Sequence, residues 1–161
     1  MPTTRCCTSK QTSVAALLVA ALAANVLLGP QPAMADWRLC DEGVMTVDGG
    51  SANPVPAHAG DEIVFRINGT LDQEVTAGLL EVWVDYLGFH VYSQKGDLCQ
   101  AVPCPLSKGA QRLTLRQRLP AVTPPGPYLG VFQAREEGGP LLFCVNINFR
   151  VALAAAEQGS T

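Results

Sequence analysis

The chain has 161 residues, 48% hydrophobic and only 16% charged, with 14 acidic against 11 basic side chains and a net charge of −3 at pH 7. A surplus of acids repels a phosphate backbone and excludes a basic nucleic-acid surface; Arg112, Arg116 and Arg118 share the even spacing of a strand's outer face. The length suits one domain with a real core, and no linker or internal repeat divides it.

Residues 1–12 carry Arg5 and Lys10 but no acid, and residues 13–29 are apolar apart from Asn25 and the two end residues. Ala33-Met34-Ala35 then offers a small-x-small cleavage pattern just before Asp36. This is the pattern of a secretory signal peptide over residues 1–35, and the apolar run is short for a bilayer span; the Ser/Thr-rich, acid-free first residues leave an organelle-targeting route as the alternative. Cleavage would remove Cys6 and Cys7, leave 126 residues and move the net charge to about −5. The expected location is secreted, or the endolysosomal or vacuolar lumen.

After residue 36, short alternating runs are separated by turn residues. Residues 44–47 predict a first strand, and Asp48-Gly49-Gly50-Ser51-Ala52-Asn53-Pro54 a loop. Residues 61–68 place Ile63, Phe65 and Ile67 on one face, which is the period of a half-buried strand. Leu80, Val82, Val84 and Tyr86 do the same in the next run; Gly88 breaks it, and residues 89–92 continue it briefly. Leu113, Leu115 and Leu119 form another apolar face. Pro124-Pro125-Gly126-Pro127 turns the chain, residues 128–135 run back, Glu137-Gly138-Gly139-Pro140 turns it again, and residues 141–151 close the fold. In that last strand Phe143, Val145, Ile147, Phe149 and Val151 should face inward, with Cys144 on the opposite side. About seven strands and no convincing helix predict an all-β, immunoglobulin-like two-sheet β-sandwich over residues 36–151. The Ala-rich residues 152–161 are expected to be a disordered tail.

Four cysteines remain after processing, Cys40, Cys99, Cys104 and Cys144, and three pairings are arithmetically possible. Cys99 and Cys104 enclose four residues between Gly96 and Gly109, with prolines around Cys104. That stiff, hairpin-like loop favours a disulfide over a metal site, because no second Cys/His pair lies at ligand spacing. Joining them leaves Cys40 for Cys144. Asn68-Gly69-Thr70 is a glycosylation sequon, placed where a strand gives way to a turn.

The segments Asp97-Leu98-Cys99, Cys104-Pro105-Leu106, Leu119-Pro120, Pro124-Pro125-Gly126-Pro127-Tyr128 and Phe143-Cys144 resemble the ML (MD-2-related lipid-recognition) domain. The likeness extends from about Cys40 to Val151 and is strongest to plant and algal members, which are similar to Niemann-Pick type C2 protein and to fungal phosphatidylglycerol/phosphatidylinositol transfer protein. It implies a secreted or endolysosomal sandwich holding a lipid between its sheets, and the bridges Cys40–Cys144 and Cys99–Cys104. Animal sterol carriers of this kind have a third disulfide for which this chain has no cysteines, so the implied ligand is a lipid in general, sterol or phospholipid. Periodicity alone favours a filled core; the resemblance implies an apolar cavity instead. Its wall would be Phe65, Val82, Val84, Tyr86, Leu115, Tyr128, Phe132, Ile147 and Phe149, with Ala121 or Val122 and Tyr128 at the mouth.

An enzyme is not expected. His58 and His90 are the only histidines, and no G-x-S-x-G, metal-binding His pair or phosphate-cradling glycine loop is present. The adjacent acids Asp61-Glu62 and Glu136-Glu137 sit at strand ends or turns, where solvent takes them. No cofactor or metal is implied. The expected partners are a lipid and, transiently, a membrane surface, with the protein a monomer. The expected function is lipid binding and transfer, including intracellular sterol or phospholipid transport; the alternative is lipid recognition in sensing or defence through a receptor complex.

Overall fold

The computed structural model describes residues 36–153. The proposed signal peptide and all of the proposed tail beyond residue 153 lie outside them. Among the described residues, nine strands form two sheets that pack face to face: β1 (Trp37–Asp41), β2 (Met45–Asn53), β3 (Ala57–His58), β4 (Glu62–Leu71), β5 (Gly78–Tyr86), β6 (Phe89–Asp97), β7 (Gly109–Arg118), β8 (Gly126–Glu136) and β9 (Leu141–Ala152). The larger sheet runs β1-β9-β8-β5-β6, with β3 paired to the end of β9; the smaller is β2-β4-β7. All pairings are antiparallel except β3 with β9. The expected all-β sandwich is thus present.

Strict alternation turns one apolar face of each sheet toward the other. Ile63, Phe65 and Ile67 of β4 are buried, as are Leu113 and Leu115 of β7, Phe132 and Ala134 of β8, and all five inward residues of β9. On the outer side of β9, Cys144 joins Val131 and Leu141 in a small second cluster against Trp83 and Leu129. Cys40 bridges to Cys144 across 104 positions of sequence, and Cys99 to Cys104. In the chain-entropy account the long loop contributes about 4.7 kcal/mol and the short one about 2 kcal/mol.

Four expectations are corrected. The strands number nine rather than about seven: β1 was not foreseen because residues 38–41 are all exposed, so pairing with β9 leaves no apolar period to read. The residues read as a loop after position 47 continue β2 through a bulge to Asn53. Gly50 belongs there because a Cβ would come within 2.8 Å of Trp37 Cβ. Ala152, assigned to the tail, ends β9 beside His58. The stapled loop is not a plain hairpin: it opens with one helical turn, α1 (Leu98–Ala101). Asp97 caps that turn by accepting the Cys99 N–H at 2.8 Å, and Leu98 is fully buried beneath it.

Asn68 also sits differently from expectation. β4 runs on to Leu71, so the sequon asparagine lies within a central strand, paired with Gly49 and Arg112. Its side-chain oxygen accepts from Arg112 Nε at 3.3 Å.

Candidate functional site

The two sheets close on one side and part on the other. β2 lies against β1 and β9, whereas β6 and β7 are free edges whose strands make no comparable approach among the described residues. Along that parted side, Leu80 of β5 is buried, but Val82, Val84 and Tyr86 are only half-buried and pack against the core from its rim. Inward residues without opposing side chains line a cavity.

Two cavities occupy the gap. The first, about 280 Å³, is almost entirely apolar and runs under the β7–β8 loop, between Ile63, Phe65, Val84, Leu119, Pro124 and Phe149. The second, about 470 Å³, is mixed in polarity and lies toward α1; its floor is Phe65, Leu80, Val82, Val84, Leu115 and Phe132. Both fall near or within the size range of small-molecule sites, roughly 300–1,000 Å³. Phe65, Val84, Tyr92 and Gln117 line both, so the two chambers meet there.

An aromatic series connects the mouth to the interior. Tyr86 stacks on Tyr128 at 4.7 Å between ring centres, Tyr128 on Phe149 at 5.3 Å, Phe149 meets Phe65 edge-on at 5.4 Å, and Phe65 meets Phe132 at 4.7 Å. Such pairs add about 0.5–1.5 kcal/mol each beyond area burial, which holds the wall rigid. The proline turn anchors its outer end: the Tyr86 hydroxyl donates to the Pro125 carbonyl at 3.0 Å and that of Tyr128 to Pro124 at 2.7 Å. Gly126, at φ 147°, leaves room for the Tyr86 ring, which a Cβ would approach to 2.9 Å. Burial, and secondarily Tyr86 beside it, pushes the Tyr128 phenol above its ordinary value of 10.0.

Of the residues the sequence nominated, Phe65, Val84, Tyr86, Val122, Tyr128 and Phe149 gather around the apolar chamber, and Val82, Leu115 and Phe132 around the mixed one. Ile147 lines neither and is fully buried within the core. At the mouth, Val122 rather than Ala121 lines the chamber. Arg112 and Arg116 stand on the outer face, the latter paired with Glu62 at 2.7 Å, while Arg118 borders the apolar chamber. His58 and His90 are engaged by Asp61 and Asp85.

Sequence reading passed over Tyr92, Gln94 and Gln117. Tyr92 and Gln94 are the cross-strand partners of inward Val84 and Val82, and Gln117 holds the inward register between Leu115 and Leu119. The Tyr92 hydroxyl donates to Gln94 Oε1 at 2.6 Å and lies 3.4 Å from Gln117 Oε1, spanning the gap between β6 and β7. A glutamine in a leucine register was the available signal.

Residues 35–151 match the ML domain. The chain belongs to the ML-domain family. It is 30% identical over 125 residues to a phosphatidylglycerol/phosphatidylinositol transfer protein of Candida albicans, a match covering 72% of this chain and 65% of that protein. A protein of the same name from Debaryomyces hansenii is 30% identical over 100 residues, covering 58% and 51% respectively. This ML chain thus spans between half and two thirds of the length of those relatives, which are named as transfer proteins and not as enzymes. The crystal structure of a Niemann-Pick type C2 protein from Japanese carpenter ant superposes with a TM-score of 0.56 at 16% identity, over 73% of this chain and 99% of that one. At that identity the likeness is one of fold.

Proposed function

We propose that this ML-domain protein carries a lipid between its two sheets and exchanges it with membranes in a secretory or lumenal compartment. The observation that carries this reading is the apolar, aromatic-walled chamber on the parted side of the sandwich, open beneath the β7–β8 loop. Burying acyl methylenes contributes about 0.8 kcal/mol each, so a dozen amount to roughly 10 kcal/mol, enough to hold a molecule that water rejects. The names of the relatives favour a phospholipid, with a sterol as the second candidate. Two disulfides agree with an oxidising compartment, and the leader read at residues 1–35 supplies the route.

The rim of the mouth fits membrane exchange. Four large apolar side chains stand in water around it: Leu87 at 64% exposure, Phe89 at 75%, Val91 at 53% and Val122 at 87%. Leu87 and Gly88 both have positive φ, 51° and 84°, the geometry of a two-residue hairpin turn that asparagine and glycine normally fill. A leucine in that conformation costs about 1–2 kcal/mol, which the turn alone does not call for, and this supports a tip that meets a membrane. Residues 86–92 and 119–128 contain no acid, although the chain has fourteen, so this rim would approach an anionic bilayer without local repulsion. A glycan on Asn68 would stand on the outer face of the smaller sheet, and the protein is expected to act as a monomer.

The test is vesicle-to-vesicle transfer of labelled phospholipid and sterol by the purified protein. Transfer that falls at least severalfold in a Leu87→Ser, Phe89→Ser variant supports the reading. A wild-type protein that transfers and binds neither lipid would contradict it.

A further inference from the structure

We propose that the free edge of β7 docks an extended, acidic segment of a partner protein, which adds to the smaller sheet as a further strand and sets its acids against Arg112, Arg116 and Arg118. Such an edge works through main-chain pairing and charge, whatever lipid the chambers hold.

Four strands end the two sheets, and they differ in regularity. β1 pairs with a register shift at Leu39/Asp41, β2 with one at Val47/Gly49, and β6 with one opposite Val84/Asp85. Such bulges twist an edge and blunt it against further pairing. β7 has none. It pairs with β4 in unbroken register from Gly109 to Arg118, and no strand lies on its other side among the described residues. Alternate residues of β7 therefore direct their N–H and C=O groups away from β4, toward an empty ladder position. Gln117 Nε2 covers the carbonyl of Arg118 at 3.1 Å, which places the end of an added strand just before it.

The side chains of this edge select by charge. Outward Arg112, Thr114, Arg116 and Arg118 alternate with Leu113, Leu115 and Gln117. With Arg66, the strands of the smaller sheet carry four arginines against two acids, Asp48 and Glu62, in a chain that has 14 acids to 11 bases. Glu62 holds Arg116 at 2.7 Å, but Arg112 donates only to the neutral Asn68 oxygen, and Arg66 and Arg118 have no ion-pair partner among the described residues. An acidic segment is repelled by the rest of the surface and drawn to this face. On an added strand, acids at every second position would stand opposite or diagonal to the arginines, within reach of cross-strand pairs. Main-chain bonds then supply affinity and the arginines specificity.

The length of the arginine line favours a polypeptide over a membrane. Arg118 borders the apolar chamber, and Arg112 lies about 20 Å further along the strand, away from the mouth. A bilayer meeting the exposed Phe89 and Val122 would touch one end of that line, whereas an extended chain follows all of it.

The experiment measures binding of three peptides of about eight residues, long enough to span most of β7, to the whole disulfide-bonded protein produced without a glycan. One alternates glutamate with threonine, one has the same composition with its glutamates in a single block, and one alternates lysine with threonine. The alternating acidic peptide should bind severalfold more tightly than the other two, and backbone amides of residues 111–117 should gain protection from exchange in its complex. Arg112→Ser, Arg116→Ser should weaken it about fivefold at an unchanged unfolding midpoint, and Arg112→Lys, Arg116→Lys should keep most of the binding. No binding of the alternating acidic peptide, equal binding of the block or lysine peptide, or exchange protection elsewhere than on β7 would overturn the proposal. Displacement of the peptide by phosphatidylglycerol vesicles would overturn it too, and assign the face to a membrane.

Discussion

The two sides of this sandwich are built from the same alternation and come to opposite ends. On the closed side, Ile67, Val145 and Ile147 reach zero exposure within the core cluster that both sheets build. On the parted side, Val82, Val84 and Tyr86 occupy the equivalent inward positions of β5 and stay half-buried, because β6 and β7 do not come together over them. Period-2 hydrophobicity specifies which way a side chain points; what it meets there depends on how the sheets are held apart. The Tyr92–Gln94–Gln117 group and the stapled turn sit where that separation is greatest in consequence, at the free edges.

That contrast sets the scale of expected effects. Ile67→Ala on the closed side should cost about 2–5 kcal/mol in chemical denaturation, with ligand selectivity retained, because a filled core cannot collapse around the loss. Val82→Ala, in the same register on the parted side, should cost markedly less; equal losses would mean that the β5 face is filled and the contrast false. Val84→Trp comes next. In a packed core it would cost about 1–3 kcal/mol by overpacking, whereas here the indole should enter the junction of the two chambers, abolish lipid binding and leave the unfolding midpoint nearly unchanged.

Much of this architecture was legible before the fold was known. The inward faces of β4, β7 and β9 and the outward turn of Cys144 follow from alternation, and the disulfide pairs from cysteine spacing together with the family landmarks. The parts that were missed share one physical cause. β1 and the second half of β6 are edge strands held by backbone pairing with exposed side chains, so they carry no hydrophobic period. Gly49 and Gly50 disguised β2 as a loop, and one helical turn between two cysteines is too short to show a 3.6-residue repeat. The chamber itself was nominated residue by residue from resemblance, with Ile147 placed on its wall although it belongs to the core. Tyr92, Gln94 and Gln117 went unread because polar residues on an edge strand look solvated until the opposite sheet is in place.

Smaller effects sharpen the same comparison at the mouth. Tyr86→Phe removes a hydrogen bond to the Pro125 carbonyl and should cost about 0.5–1.5 kcal/mol while loosening the β7–β8 turn, visible as faster backbone amide exchange in residues 119–126. Tyr128 gives a pH signature. Its folded pKa is raised above the unfolded 10.0, so the stability it lends is fully present below pH 10 and is lost as pH climbs through the folded value. Tyrosinate absorbance should therefore show a late-titrating phenol, and Tyr128→Phe should remove that late step; if Tyr128→Phe leaves the high-pH end of the titration unchanged, the aromatic wall is wetter than described. Mildest of all, the acidic surface outside the rim should slow docking on anionic vesicles, so lipid transfer to them should run faster at high ionic strength than at low. Equal rates would show that the rim alone governs docking.

The most direct test of the central claim is native mass spectrometry of the purified protein beside its Val84→Trp variant, each intact and after lipid extraction. Occupancy of the parted side predicts a wild-type protein carrying a removable lipid mass and a folded variant carrying none. The same lipid on both proteins, or no lipid on a wild-type protein that also refuses phospholipids and sterols in solution, would contradict it.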